Sequence, residues 1–214
     1  SPEIFHTLQG EGPTIGAPAV FVRLSQCNLH CVWCDTPYTW NWEKTPWKHD
    51  DDRKFSKAEQ ILELSAEELA PKITSSHCDR LVITGGEPLL QQAELPSLIR
   101  LLKDSPKIEI ETNGTQLPLD ELDRLVTAYN VSPKLANSGM EESLRWKNEP
   151  LKFFAESEKA IFKFVVVTEA DLTEIRELQS RFAIPASKIF LMPEGRSPSE
   201  MQQKSHWLAD LCRD

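Results

Sequence analysis

Six short apolar runs punctuate the 214-residue chain, and stretches of helical character separate most of them. The runs are Ala19–Gln26, Arg80–Pro88, Lys107–Gly114, "YNVSP" at 129–133, Ala160–Thr168 and "KIFLMPEG" at 188–195. Between or after them lie Ser56–Ala70, with Ser56 placed as an N-cap, Glu94–Asp104, "LDELDRLV", "EESLRWKNEPLKFFAES" interrupted near Pro150, "EADLTEIRELQSRF" and "SPSEMQQKSHWLADLC". Strand–helix alternation at this spacing predicts parallel strands joined by right-handed crossovers. Six units are too few to close an eightfold barrel. The expected fold is therefore α/β, a partial (open) β/α barrel of about six parallel strands forming one domain over residues 1–214. A flat doubly wound sheet is the competing arrangement. In both, ligands gather at the carboxyl ends of the strands. Residues 36–56 lack periodicity and are expected to form a loop or small insertion, carrying Trp40, Trp42, Trp47 and an acidic run, Asp50–Asp52, read as a solvated face.

A formal net charge of −9 argues against direct binding to a nucleic-acid backbone, which needs clustered Lys and Arg. No apolar run is long enough for a membrane span, and no basic segment leads into an apolar stretch as in a signal peptide. A cytoplasmic location is expected. The chain starts at Ser1 and not at Met, so a few starting residues are expected to be missing.

Of five cysteines, Cys27, Cys31 and Cys34 crowd one loop directly after the first apolar run. That odd, clustered set does not resemble a secreted disulfide framework. Three thiolates suit a soft metal. A structural zinc ion would want a fourth ligand, and His30 lies in the loop, yet neighbours in so tight a loop cannot all point at one centre. Cys78 and Cys212 lie elsewhere and read as ordinary thiols. An iron–sulfur cubane follows a different logic: three cysteines leave one iron open to an exchangeable ligand.

The Cys-x3-Cys-x2-Cys spacing, with Trp33 directly before Cys34, resembles the radical S-adenosylmethionine (SAM) superfamily. "TGGEP" at Thr84–Pro88 is similar to that superfamily's GGEP motif. Gly85 and Gly86 there are expected to let the backbone approach the methionine moiety of SAM. "LQGEG", "FVRLSQCNLHCVWCDT", "ETNGT", "VSPK" and "LMPEG" narrow the resemblance to the 7-carboxy-7-deazaguanine synthase family, in family order from residue 3 to about 195. That resemblance implies a lyase that contracts the ring of 6-carboxy-5,6,7,8-tetrahydropterin with loss of ammonia, in queuosine biosynthesis, a tRNA modification pathway. It also implies one [4Fe-4S] cluster, SAM and Mg²⁺ as cofactors, an external reductant such as flavodoxin or ferredoxin, and a homodimer. Carried over residue by residue, Cys27, Cys31 and Cys34 hold the cluster and Thr36 the Mg²⁺. Leu8, Gln9, Gly10, Glu11, Arg23, Thr84 and Glu111 contact substrate, with Arg23 as a clamp for its carboxylate. Gly85, Gly86, Glu87, Asn113, Ser132, Pro133, Lys134, Met192, Pro193 and Glu194 contact SAM. The chain ends at "LADLCRD", where the resemblance leads one to expect a further segment. Other small radical SAM enzymes, such as a glycyl-radical activase, share the cysteines, and a non-catalytic metal or electron-transfer protein shares the thiol cluster.

Periodicity bears on these assignments independently. Along the first strand Phe21, Arg23, Ser25 and Cys27 share a face, while Val20, Val22 and Leu24 share the other. Arg23 and the first cysteine therefore point towards one site, and a buried guanidinium there needs an anionic partner, either substrate or a protein carboxylate. Ile108 and Ile110 alternate with Glu109, Glu111 and Asn113, so that strand turns a polar face inward. Lys163 is placed either in the pocket or in a surface pair.

Overall fold

The computed structural model describes residues 2–75, 78–103 and 106–212. Its elements run in the order β1 (Ile4–Leu8), β2 (Pro18–Leu24), α1 (Lys57–Gln60), α2 (Ala66–Thr74), β3 (Arg80–Gly85), α3 (Leu95–Leu101), β4 (Lys107–Thr112), α4 (Asp120–Asp123), β5 (Ala128–Val131), α5 (Glu142–Arg145), α6 (Asn148–Glu156), β6 (Ala160–Val166), α7 (Asp171–Phe182), β7 (Ile189–Pro193) and α8 (Pro198–Leu211). The strands form one seven-stranded sheet in simple sequence order. β2 through β7 pair parallel, and among the described residues no pairing joins β7 back to β1, so the barrel is open.

All six expected strands are present. The seventh, β1, was not expected as a strand and pairs antiparallel with β2, Ile4 opposite Val22 and Phe5 opposite Phe21. It is a half-exposed edge strand with little apolar alternation, and the Phe5–Phe21 stack at 5.2 Å fixes it more than its own pattern does. The expected helix Ser56–Ala70 is two helices. Ser56 makes no side-chain cap bond, whereas Ser65 and Glu68 form a reciprocal capping box that starts α2 afresh. The break expected near Pro150 lies earlier, at Trp146 and Lys147, and Pro150 sits in the first turn of α6, where its missing N–H costs nothing. The Glu94–Asp104 expectation is met as α3; its last residue, Asp104, lies outside the described residues.

Alternation divides the sheet into two unlike faces. Val20, Val22, Leu81, Ile83, Ile108, Ile110, Tyr129, Val131, Phe162 and Phe164 face the helices and form one continuous core. The opposite, concave face carries Ala19, Phe21 and Val82 towards its base. Higher on the same face the strands turn polar: Arg23 pairs in register with Thr84, and Glu111 with Asn130. Below this row Glu109, almost fully buried, pairs with Arg80 and accepts from Gln9 Nε2 (3.2 Å) and Thr14 Oγ1 (3.1 Å). That network closes the concave side beneath the site with satisfied charges, which a buried pair requires.

Candidate active site

The cysteine loop leaves the carboxyl end of β2 and is pinned from three neighbouring turns. Gly86 N–H donates to the Leu24 carbonyl (2.9 Å) and Glu87 N–H to that of Gln26 (2.8 Å). Asn28 Nδ2 donates to Thr115 Oγ1 (2.8 Å), and Val32 N–H to the Ser138 carbonyl (3.0 Å). The two glycines of "TGGEP" have a structural cause beyond ligand approach. Gly85 has φ of +136°, and a Cβ there would collide with the Leu24 backbone; one at Gly86 would collide with the Gln26 carbonyl and press on the Cys27 Cβ.

Glu87 is wholly buried. Its Oε1 accepts from Leu89 N–H (3.0 Å) and Thr112 Oγ1–H (2.8 Å), and its Oε2 from Asn113 N–H (2.7 Å). Burial raises its carboxyl above the usual range, and the three donors pull against that shift. Asn113 in turn reaches the loop through Asn28 Oδ1 (3.0 Å).

A cavity of about 160 Å³ opens beneath the loop. Its walls include Cys27, Cys31, Cys34 and Thr36 from the loop, Gly85 and Gly86 from β3, and Asn113, Ser132 and Lys134 from the next two turns. Its floor is the polar row Arg23, Thr84, Glu111, Asn130, with Glu11 and Lys163 beside it. Thr84 Oγ1 donates to Glu111 Oε2 (2.6 Å) and Lys163 Nζ to Glu11 Oε2 (2.6 Å). Burial first, then the neighbouring Glu11 charge, raises the Glu111 carboxyl, while Lys163, Thr84 and Gln9 oppose the shift. Asn130 Nδ2 is buried without a hydrogen-bond partner, an open donor at the floor of the cavity.

Arg23 donates from Nε to Glu3 Oε1 (2.7 Å), the residue across from it on the chain leading into β1, and Glu3 also accepts from Tyr38 OH (2.9 Å). The protein carboxylate that periodicity left open is thus present. A larger cavity of about 740 Å³ lies on the other side of this pair, lined by Glu3, Tyr38, Leu62 and Gln91 among others. We place the chemistry in the smaller one, because the three cysteines and the polar row converge there and not in the larger.

Several residues singled out in the sequence lie off this cavity. Leu8 is 59% exposed, because β1 turns it to solvent at the sheet edge. Gly10 has open space around it. Gln9 lies buried below the floor, bracing Glu109 and Glu111. Glu87 is spent on its three donors. Pro133, Met192, Pro193 and Glu194 are not among the lining residues, and Glu194 instead pairs with Lys204 (2.7 Å). Conversely, the sequence reading missed Asn130 and left Lys163 open. Strand alternation in "AYNV" was the signal for Asn130, a lone polar residue in an apolar run.

The 36–56 segment is ordered by its own bonds. Asn41 Nδ2 donates to the Arg53 carbonyl (2.7 Å), Lys54 Nζ to Asn41 Oδ1 (2.6 Å), and Trp42 bridges Phe55. Its acidic run is exposed as expected, with Asp50 paired to Arg196 (2.9 Å) and Asp51 bonded to His49 (2.6 Å). His30 stacks on Trp47 at 3.7 Å, and burial, then the Lys54 charge, lowers its pKa to about 4.

The donor set fits a cluster better than a single ion. Among the described residues no three His, Cys, Asp or Glu side chains are placed to hold one metal ion. Thiolates bound to separate irons of a cubane need not converge on a point. Burial pushes the thiols of Cys27 and Cys31 up to about 12 and about 11, so metal binding here displaces protons.

An open, sequentially ordered β/α barrel with three cysteines above a polar floor defines a radical SAM protein, and the sequence pattern of the Radical SAM superfamily matches residues 22–165. Membership brings a [4Fe-4S] cluster and SAM as cofactors. Among relatives, a 7-carboxy-7-deazaguanine synthase of Pyrobaculum aerophilum is 39% identical over 200 residues, spanning 92% of this chain and 80% of that protein. One from Hyperthermus butylicus is 35% identical, over 94% of this chain and 79% of its own length. The crystal structure of QueE from Escherichia coli superposes with a TM-score of 0.63 at 29% identity, covering 98% of this chain and 89% of that one. The chain belongs to the 7-carboxy-7-deazaguanine synthase family. No helix among the described residues is long and apolar enough to cross a membrane.

Proposed function

We propose that the protein is a 7-carboxy-7-deazaguanine synthase, a radical SAM lyase that contracts the ring of 6-carboxy-5,6,7,8-tetrahydropterin with release of ammonia, for deazapurine and queuosine biosynthesis. The observation that carries this reading is the inward polar row Arg23–Thr84–Glu111–Asn130 beneath the cysteine loop. When bound on Cys27, Cys31 and Cys34, the cluster with SAM supplies reductive cleavage of the sulfonium and hence a carbon radical.

The chain's own residues bind and orient. Arg23 keeps its terminal nitrogens for a substrate carboxylate while Glu3 fixes its Nε edge. Glu111 and Glu11 offer carboxylate oxygens to the amino and ring N–H groups of a pterin, with Thr84, Gln9 and Lys163 holding them in place. The raised Glu111 carboxyl, sheltered from water, is suited to hold a proton near the reacting ring. Gly85, Gly86, Asn113, Ser132 and Lys134 form the wall proposed for SAM, with Pro133, Met192, Pro193 and Glu194 as outer contacts. Thr36 is the proposed Mg²⁺ ligand: its hydroxyl makes no cap bond, lies 3.7 Å from the Cys34 sulfur and faces the cavity. A homodimer, an external flavodoxin- or ferredoxin-type donor and a cytoplasmic location complete the proposal.

The test is anaerobic turnover of the carboxypterin with SAM, Mg²⁺ and reductant. The expected products are 7-carboxy-7-deazaguanine and 5′-deoxyadenosine. Formation of 5′-deoxyadenosine without ring contraction would place the protein elsewhere in the superfamily, and a loaded protein without either product would overturn the proposal.

A further inference from the structure

Cys34 differs from the other two cysteines in what its sulfur meets. Trp40 Nε1–H donates to Cys34 Sγ at 3.3 Å, from an indole that is only 3% exposed. The Cys27 sulfur is met instead by a backbone N–H at 3.4 Å (Leu29) and by the Asn113 amide at 3.9 Å. The indole cannot readily turn away. His30 packs edge-on to it at 5.2 Å, His49 at 6.1 Å, and His30 is itself covered by Trp47. His49 Nε2 also bonds the Cys34 carbonyl (2.8 Å), which holds the cysteine from its backbone side. The indole is a donor only, so a buried N–H aimed at sulfur has no other use there.

We infer that Trp40 is a positioning residue for electron uptake: its N–H, aimed at the Cys34 sulfur, withdraws charge from that thiolate and makes the cluster easier to reduce. Hydrogen bonds to cluster sulfurs are among the levers that set iron–sulfur potentials. The step concerned is the gain of one electron by the cluster, from its 2+ to its 1+ state, with no bond made and no proton lost. Dithionite is the donor in the test. The inference rests on the cluster assignment proposed above and adds to it a residue that is not itself a cluster ligand.

The experiment is a redox titration of anaerobically reconstituted protein, wild type against Trp40→Phe, followed by the paramagnetic resonance signal of the reduced cluster. Phenylalanine keeps an aromatic ring in the packing and deletes the donor. At equal ambient potential the variant is expected to show about a tenfold lower ratio of reduced to oxidised cluster, equivalent to ~59 mV for a one-electron couple. Trp47→Phe, which leaves the bond in place, is the control and is expected to titrate like wild type. An unchanged midpoint in a fully loaded Trp40→Phe protein overturns the inference while leaving the cluster assignment intact. Absence of any four-iron cluster in the wild type overturns the assignment itself. Should Trp40→Phe fail to load, wild-type protein labelled with indole-¹⁵N tryptophan decides the matter. A ¹⁵N coupling in the spin-echo spectrum of the reduced cluster supports the bond, and its absence overturns it.

Discussion

Glu87 of the "TGGEP" turn is where fold and site are most tightly joined. It accepts three hydrogen bonds, from Leu89, Thr112 and Asn113, with none of its surface exposed. Every partner is a donor, so an acceptor-only carboxylate satisfies all of them at once. Glu87→Ala leaves two backbone N–H groups and the Thr112 hydroxyl proton buried without acceptors, although the Thr112 oxygen still accepts from Gly114 N–H. At about 1–3 kcal/mol for each unsatisfied group, less the relief of burying a charge, the cost is about 3–6 kcal/mol. Glu87→Gln is milder, at about 1–3 kcal/mol: its amide oxygen keeps Leu89 and Thr112, while its NH₂ meets the Asn113 N–H donor to donor. With a urea slope of ~3 kcal/mol/M for a chain of this size, the midpoint of cluster-free Glu87→Ala falls by about 1–2 M. Because Asn113 holds Asn28 in the cysteine loop, iron content after reconstitution should fall alongside stability. Variants with wild-type midpoints and full iron content but lost SAM affinity would refute this reasoning and make Glu87 a ligand contact.

Arg23→Ala should raise the KM for carboxypterin about 10–100-fold, as loss of a charged hydrogen-bonding pair does, with the KM for SAM within about twofold; equal effects on both would count against the clamp. Thr36→Ala is expected to lose most Mg²⁺-stimulated activity while the visible spectrum of the cluster stays unchanged, and an undiminished Mg²⁺ response defeats that role. Glu111→Gln should make cluster-free protein more stable at pH 7. The folded state raises this carboxyl through burial and the Glu11 charge, so stability present below about pH 4.3, the unfolded value, is lost as pH rises through the folded one. The advantage of the glutamine should vanish near pH 4, where the wild-type group is already neutral; a melting-temperature difference independent of pH would contradict it.

The parallel strands were legible because large apolar or aromatic residues recur at every second position on one face from β2 to β6, and the cysteine spacing showed where the site opens. Inward placement of Arg23 and Glu111 followed from the same alternation. β1 was not legible, since its hold comes from the register of β2 and a stacked phenylalanine pair rather than from its own sequence. The split between α1 and α2 turned on one reciprocal cap at Ser65, and periodicity ran straight through it. Glu87 drew attention as part of a ligand-binding motif, yet it is wholly buried off the cavity and held by three donors, a placement that only tertiary geometry reveals. Asn130 was marked only by its place in the alternation of β5, a signal that four residues make weak.

The attachments of the cysteine loop tie it to distant parts of the chain. Its anchors come from the turns after β3, β4 and β5, up to 106 positions away at Ser138. Those anchors hold the thiols at their mutual spacing, so loading of the cluster is coupled to folding of the chain through at least residue 138. Metal supplied to a denatured chain would meet the same three cysteines without the turns that hold them.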